Sequence, residues 1–217
     1  ILSRSPQRVR GLPPGARAVR WDARTAEGWG HEADGADAII NLAGENIGGT
    51  SPLNMRWTAK RREVILNSRV AAGRAVVEAV RMAERKPGVV VQISGIGHYG
   101  PNVVQPVDES SPVGAGFLAD VTVAWEASTQ PVEDMGVRRV VLRNGVVLHD
   151  DNFAFKMLKL PFQMFVGGPL GSGRQYLPWI HYRDVVNIFA FVLENQNTSG
   201  VYNMVAPEVL RMNAFGR

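Results

Sequence analysis

The run Val89-Val90-Val91-Gln92-Ile93-Ser94 constrains the fold more than any other stretch of the chain. It is β-branched almost throughout and lacks the apolar–polar alternation of a strand with one wet face. Such a strand belongs inside a parallel sheet with helices on both sides. Its surroundings agree. Upstream, Val64, Ile65, Ala71, Ala72, Val76, Val77 and Val80 recur at helical spacing within residues 57–84, and Lys86-Pro87-Gly88 ends that helix. Residues 36–42 read as a buried strand closing in Ala43-Gly44. Residues 117–135 read as a helix, and 137–142 as a further buried strand. Short β-rich runs alternating with longer helices predict βαβ units.

At the two ends the reading is less regular. Ile1-Leu2-Ser3-Arg4 and Ala18-Val19-Arg20-Trp21 are short strands, the second after the turn Pro13-Pro14-Gly15, and residues 95–116 are a loop. Beyond Arg143 the rhythm changes. A helix is expected over 153–165, a glycine-rich loop over 167–173, a helix over 184–194 started by Asp184, and a late strand over 201–204. No internal repeat or low-complexity linker interrupts the chain. At 217 residues the expectation is one α/β core over 1–147, with 148–217 forming mostly a smaller lobe interleaved with that core.

Composition excludes several function classes. Without cysteine there is no disulfide, thiolate nucleophile or cysteine-based metal site. The histidines His31, His98, His149 and His181 lack ligand spacing, so no metal is expected. No apolar run approaches the roughly 18 residues of a membrane helix, and the first residues do not form a signal peptide. A cytoplasmic location is expected. The formal charge of +4 raises nucleic acid as a partner. The arginines are spread over several elements without an aromatic stacking platform, so nucleic acid is not expected.

A dinucleotide-binding fold opens with a strand, a glycine-rich turn and a helix whose N-terminus holds pyrophosphate. No GxGxxG or GxxGxxG precedes Ile1, whose segment reads as a second strand. The chain is therefore expected to start after that first unit and to stop within a helix at Phe215-Gly216-Arg217. Four segments carry a resemblance: Leu2-Ser3-Arg4, Ile40-Asn41-Leu42-Ala43-Gly44-Glu45-Asn46-Ile47, the run GGPLGSGRQ from Gly167 to Gln175, and Trp179-Ile180-His181-Tyr182-Arg183-Asp184. With Arg56-Trp57, Ser68-Arg69, Phe117-Leu118-Ala119 and Trp125-Glu126, the chain resembles the atypical extended short-chain dehydrogenase/reductases known as epimerase family proteins. The resemblance implies a Rossmann-type doubly wound parallel sheet with a small C-terminal substrate lobe.

It also implies a cofactor and a site. An acidic residue after the second strand would bind the ribose 2′-hydroxyl of NAD. Ser3 and Arg4 stand there instead, and a hydroxyl plus a guanidinium suits the 2′-phosphate of NADP(H). Leu42, Ala43 and Gly44 are implied to lie against the cofactor, Arg69 to face its phosphates, and Val147 to run under the nicotinamide. Ser94 is placed to hydrogen-bond a reacting oxygen. The Tyr-x-x-x-Lys proton-transfer pair of such enzymes is replaced by Leu118 and Thr122, neither of which can transfer a proton as that pair does. Tyr99 is the substitute candidate, although a pocket-shaping role competes, and His98 is a weaker one. Glu45, Arg174 and Gln175 are expected on the substrate side, with His181 as a tie and Asp184 as a helix cap. Two functions stay open: an NADP(H)-dependent oxidoreductase or epimerase-like enzyme acting on a small polar metabolite, or a non-catalytic NADP(H)-binding regulator or scaffold. The expected partner is a small-molecule substrate, with a homodimer left open and no membrane.

Overall fold

The computed structural model describes residues 1–217 except 49–55, 102, 151–152, 165–166, 169–171, 209 and 216–217. Its centre is a four-stranded parallel sheet, ordered β3 (Ala38–Asn41), β4 (Val89–Gly95), β5 (Arg138–Asn144) and β9 (Gly200–Met204). A second parallel pair joins β1 (Leu2–Ser3) to β2 (Val19–Arg20). The short strands β6 (Val146–Leu148) and β8 (Trp179–His181) pair in parallel, and β7 (Tyr176–Leu177) pairs antiparallel with β10 (Leu210–Arg211).

Strand periodicity decides which helix each side chain meets. Val90 joins a core with Ala72, Val76 and Val80 of helix α1 (Ala59–Met82), and Leu2, Val19 and Ile39 pack against that same cluster. Its neighbours Val89 and Val91 point the other way, into a core with Val140, Leu142, Ile180 and Met204. Val185, Ile188 and Val192 of helix α4 (Tyr182–Glu194) cover this second face. The sheet is thus wrapped on both sides, as the unbroken apolar run requires. Gln92, fully buried between the two layers, accepts from Asn41 Nδ2 at 2.8 Å and donates to the Ile93 carbonyl. The late strand β9 sits in the central sheet, so the chain after Arg143 returns to the core before it ends.

The element boundaries mostly follow the sequence, with local corrections. The loop expected after β4 begins with a 3-10 turn, Ile96–Tyr99. Helix α2 (Phe117–Thr129) gives way to a 3-10 stretch, Gln130–Met135. Helix α3 spans Phe153–Gln163, and much of the glycine-rich segment 167–173 lies outside the described residues. Asp184 does not start its helix. His181 caps α4, its Nδ1 accepting from Arg183 N at 3.4 Å, and Asp184 lies inside the first turn, where its charge complements the helix dipole. A final short helix, α5, spans Met212–Phe215.

Helices α1 and α2 approach so closely at Gly73 that a Cβ there would lie 1.9 Å from Ser128 Oγ and 2.8 Å from its Cβ. Alanine is the better helix former by about 1 kcal/mol, but here overpacking of about 1–3 kcal/mol opposes it. Gly73→Ala is therefore expected to lower the urea denaturation midpoint, and the double variant Gly73→Ala/Ser128→Gly to recover it. A Gly73→Ala protein more stable than the parent would contradict this close packing.

Candidate functional site

Three adjacent strands end side by side, and their last polar residues share one register row. Ser94 of β4 pairs with Arg143 of β5, and Arg143 pairs with Asn203 of β9. Residues paired across a parallel sheet project from the same face, so three polar side chains meet beneath α2. Glu126 closes the row from α2. Its carboxylate accepts from Ser94 Oγ at 2.7 Å and from both Nε and Nη2 of Arg143 at 2.9 Å. The remaining Arg143 Nη1 donates to Tyr99 Oη at 2.9 Å, and Tyr99 donates to Asn203 Oδ1 at 2.7 Å. The network is nearly dry, with Ser94 3%, Arg143 5% and Tyr99 8% exposed.

Burial alone would raise the Glu126 carboxyl, but hydrogen bonds from Arg143 and Ser94 and the Arg143 charge hold it below the usual carboxylate range. Burial likewise works against the Arg143 cation, and its bonds to Glu126 and Tyr99 outweigh that and raise it. His98 goes the other way. Burial, then the Arg143 charge, pushes it below the ordinary imidazole value against the pull of Glu126. Its Nδ1 is 4.0 Å from Glu126 Oε1 and makes no hydrogen bond among the described residues. At neutral pH this contact is a neutral imidazole beside an ion pair, not a second salt bridge.

Leu118 and Thr122 occupy α2 two turns and one turn before Glu126. Thr122 is buried and donates to the Ala119 carbonyl. Leu118 presses on the turn after β4, where a Cβ on Gly97 would be 3.0 Å from its own Cβ. It also lines a cavity of about 560 Å³. That cavity lies at the carboxyl ends of the strands, between the Ile96–Tyr99 turn, the start of α2 and the antiparallel β7–β10 pair, and includes Tyr99 and Asn203. Backbone contact holds its wall together. A Cβ on Gly114 would be 2.1 Å from the Tyr99 carbonyl oxygen, so only glycine lets the two loop arms touch. A groove of about 700 Å³ between α1 and α2, lined by Val70, Arg74, Glu78 and Ala127, belongs to the outer helix layer and touches none of this chemistry.

Of the cofactor residues expected from the sequence, Ser3, Arg4, Leu42, Ala43 and Gly44 lie at the ends of β1 and β3, Arg69 on α1 and Val147 on β6. Ser3 ends β1, its Oγ accepting from Ser5 N at 3.1 Å. Arg4 follows it, exposed, and has no hydrogen bond or ion pair among the described residues. Arg20 is the register partner of Ser3, adding a second cation to this edge. Leu42 is 61% exposed, and Ala43 is half-buried against the α1 core. Arg69 is buried and turned inward. Its Nη1 donates to the carbonyls of Glu45 and Ile65 at 3.0 Å, and its guanidinium lies 4.7 Å over the Trp125 ring. Burial, helped by Arg61 and opposed by Glu45, lowers it to about 10, so it stays charged at neutral pH. Val147 is half-buried in β6 opposite Ile180.

On the substrate side, Gln175 lines the cavity, whereas Glu45 and Arg174 do not. The Glu45 carboxylate is bound by Arg61 at 3.0 Å, and the Arg174 carbonyl accepts from Arg211. Sequence reasoning missed Glu126, Arg143 and Asn203. Each sits on a different element, and no spacing in the chain links them. The available signal was a charged residue directly after the apolar run Val140-Val141-Leu142, Arg143, and a glutamate on a mostly apolar helix, Glu126.

The wrapped parallel sheet and the polar row at its carboxyl ends define a Rossmann-type α/β protein of the short-chain dehydrogenase/reductase kind. Relatives narrow this. An epimerase family protein of Staphylococcus haemolyticus is 35% identical over 217 residues, covering 100% of this chain and 69% of its own length. The chain belongs to the epimerase family proteins. No protein-family model matches it. Among solved structures, human epimerase family protein SDR39U1 with NADPH superposes with a TM-score of 0.82 at 34% identity, over 99% of this chain and 68% of that one. A nucleoside-diphosphate sugar epimerase from Corynebacterium glutamicum gives 0.77 at 26%, over 93% and 43%. No helix among the described residues is long and apolar enough to cross a membrane, and no group of three metal-ligating side chains occurs among them.

Two outcomes test the buried network. Glu126→Ala leaves Arg143 buried without its counter-charge and is expected to destabilise the fold by about 3–5 kcal/mol, read from urea unfolding at pH 7. The second outcome concerns acid. Folded His98 protonates below the ordinary value of 6.5, so stability falls as pH drops below 6.5, where only the unfolded chain takes up that proton. Glu126 adds a lower window. Its contribution is complete above the ordinary value of 4.5 and disappears as pH falls through the depressed folded value. His98→Gln is expected to flatten the stability loss between pH 7 and 5.5 while leaving the steeper acid loss. Equal losses in both proteins over that range would assign the titration elsewhere.

Proposed function

We propose that this chain carries the NADP(H) site of an oxidoreductase or epimerase-like enzyme acting on a small carbonyl or alcohol, with Ser94 and Tyr99 at the reacting oxygen. The single observation behind it is the 2.9 Å bond from Arg143 to the Tyr99 hydroxyl, which puts a fixed cation beside a phenol at the base of a cavity. A lysine serves such a tyrosine in the usual pair, and here a guanidinium from the neighbouring strand stands in its place. Charge left on the Tyr99 oxygen after proton transfer is stabilised by Arg143, whose own charge Glu126 fixes in direction.

Residues present fit the cofactor. Arg4 is exposed at the carboxyl end of β1 with its guanidinium available, and Ser3 and Arg20 flank it, a set suited to a 2′-phosphate rather than a bare ribose. The relative solved with NADPH supports the same choice. When bound, the nicotinamide would supply or accept the hydride. Arg69 holds the Leu42–Glu45 loop against α1 through the Glu45 carbonyl, so its part is to shape the cofactor side rather than to reach outward. The stretch 148–217 would supply the substrate side through Gln175 and Asn203.

Both hydroxyls must turn to act. Tyr99 donates to Asn203 and Ser94 to Glu126, so a substrate oxygen has to displace Asn203 Oδ1, with Ser94 rotating toward it. That same arrangement favours the second reading, a non-catalytic NADP(H)-binding regulator, because no side chain in the network offers a free proton.

With the full-length protein, NADPH is expected to bind at least about tenfold tighter than NADH, the range of one charge-assisted bond, and Arg4→Ala to remove most of the difference in fluorescence titration. Tyr99→Phe should lower kcat by about 10²–10⁴-fold with NADPH affinity unchanged. Turnover lost in Ser94→Ala would eliminate the regulator, and equal affinities for the two cofactors would eliminate the 2′-phosphate assignment.

A further inference from the structure

The cavity beside Tyr99 is built for an apolar molecule. Trp57, Val107, Phe117, Leu118, Leu177 and Leu210 form its walls, with Trp57 and Phe117 in edge-to-face contact at 5.4 Å. At about 560 Å³ it lies within the ~300–1,000 Å³ range of small-molecule sites. Its polar groups are sorted by depth. Tyr99 and Asn203 are buried or half-buried, whereas Gln105, Gln175 and Glu208 are exposed and so mark the mouth.

Charge decides what cannot enter. No lysine, arginine or histidine lines the cavity among the described residues, and the ionisable carboxylate at its mouth, Glu208, repels anions. Arg143 is not a lining residue, and its cation is already bound in a two-point pair by Glu126. A diphosphate or phosphate ester leaving water needs cationic donors that this cavity lacks, and burying it unpaired costs far more than its apolar contacts return. Leu118 contributes directly. Standing where a proton-transferring tyrosine is expected, it makes that wall apolar.

We infer that the substrate bound here is an uncharged, largely hydrophobic ketone, aldehyde or the corresponding alcohol, with its one oxygen at Tyr99 and its ring or alkyl body against Trp57, Phe117 and Leu118. This rests on the NADP(H) reading above for the reaction, though not for the binding. It replaces the expectation of a polar metabolite. In turnover, hydride from NADPH, the reductant, would add to the carbonyl carbon as the carbon–oxygen π bond breaks, the oxygen would take the Tyr99 proton, and a proton from water would restore Tyr99, leaving NADP⁺ and the alcohol.

The test is tryptophan fluorescence of the full-length protein, titrated with 2-tetralone, UDP-glucose and dihydroxyacetone phosphate, with and without NADP⁺. 2-Tetralone is expected to quench and saturate at least tenfold tighter than either phosphorylated compound, and Trp57→Phe to remove most of the quench. Leu118→Asp should weaken 2-tetralone at least tenfold without changing NADPH affinity. Should that variant not fold, Leu210→Asp on β10, at the opposite wall of the cavity, makes the same measurement. Absence of 2-tetralone binding in both conditions, or binding of either phosphorylated compound as tight or tighter, overturns the assignment. Binding of 2-tetralone by a protein that fails to bind NADPH would uphold the cavity assignment and defeat the cofactor reading instead.

Discussion

A buried arginine is the constraint around which the end of the sheet is arranged. Arg143 continues β5 past Val140, Val141 and Leu142, and at 5% exposure its charge requires a partner that water does not provide. Glu126 supplies two hydrogen bonds, which sets how α2 lies over the strand ends. With those two bonds made, the guanidinium plane is fixed and its last donor is aimed at Tyr99. A buried pair of this kind contributes modest net stability against its desolvation, but removing either member leaves an uncompensated charge. Its effect is therefore directional, holding Ser94, Tyr99 and Asn203 in one row.

Under the proposed function, that row replaces a tyrosine and lysine one turn apart on a helix with a cation from a strand and a phenol from the turn after its neighbour. The helix meets the row through Glu126, and Leu118 and Thr122 stand where the resemblance implies the pair. Leu118 then serves the cavity, and Thr122 returns its hydroxyl to the helix backbone. In the proposed reading, substrate polarity and the proton route are linked, because Leu118 stands at a position of the resembled family's pair and lines the apolar wall.

Much of the scaffold was legible in the chain. Apolar runs located β3, β4 and β5, and longer helical stretches between and after them located α1, α2 and α4, because core burial forces apolar residues onto defined faces. Cap chemistry was less legible. Asp184 was read as starting α4, yet His181 caps it, since either side chain can satisfy early helix amides and only the chain path selects one. Arg69 was expected to face the cofactor phosphates; burial instead turned it onto the Glu45 carbonyl and the Trp125 ring.

Local residue order was enough for a doubly covered parallel sheet and the Ser3-Arg4 edge, because each depends on residues close together in the chain. Only the folded chain brings Ser94, Tyr99, Glu126, Arg143 and Asn203 into one network beside a cavity that no cation lines among the described residues. The reason is register. Parallel pairing brings residues 94, 143 and 203 side by side across long crossovers, and no local pattern encodes which polar groups will meet when the strands align.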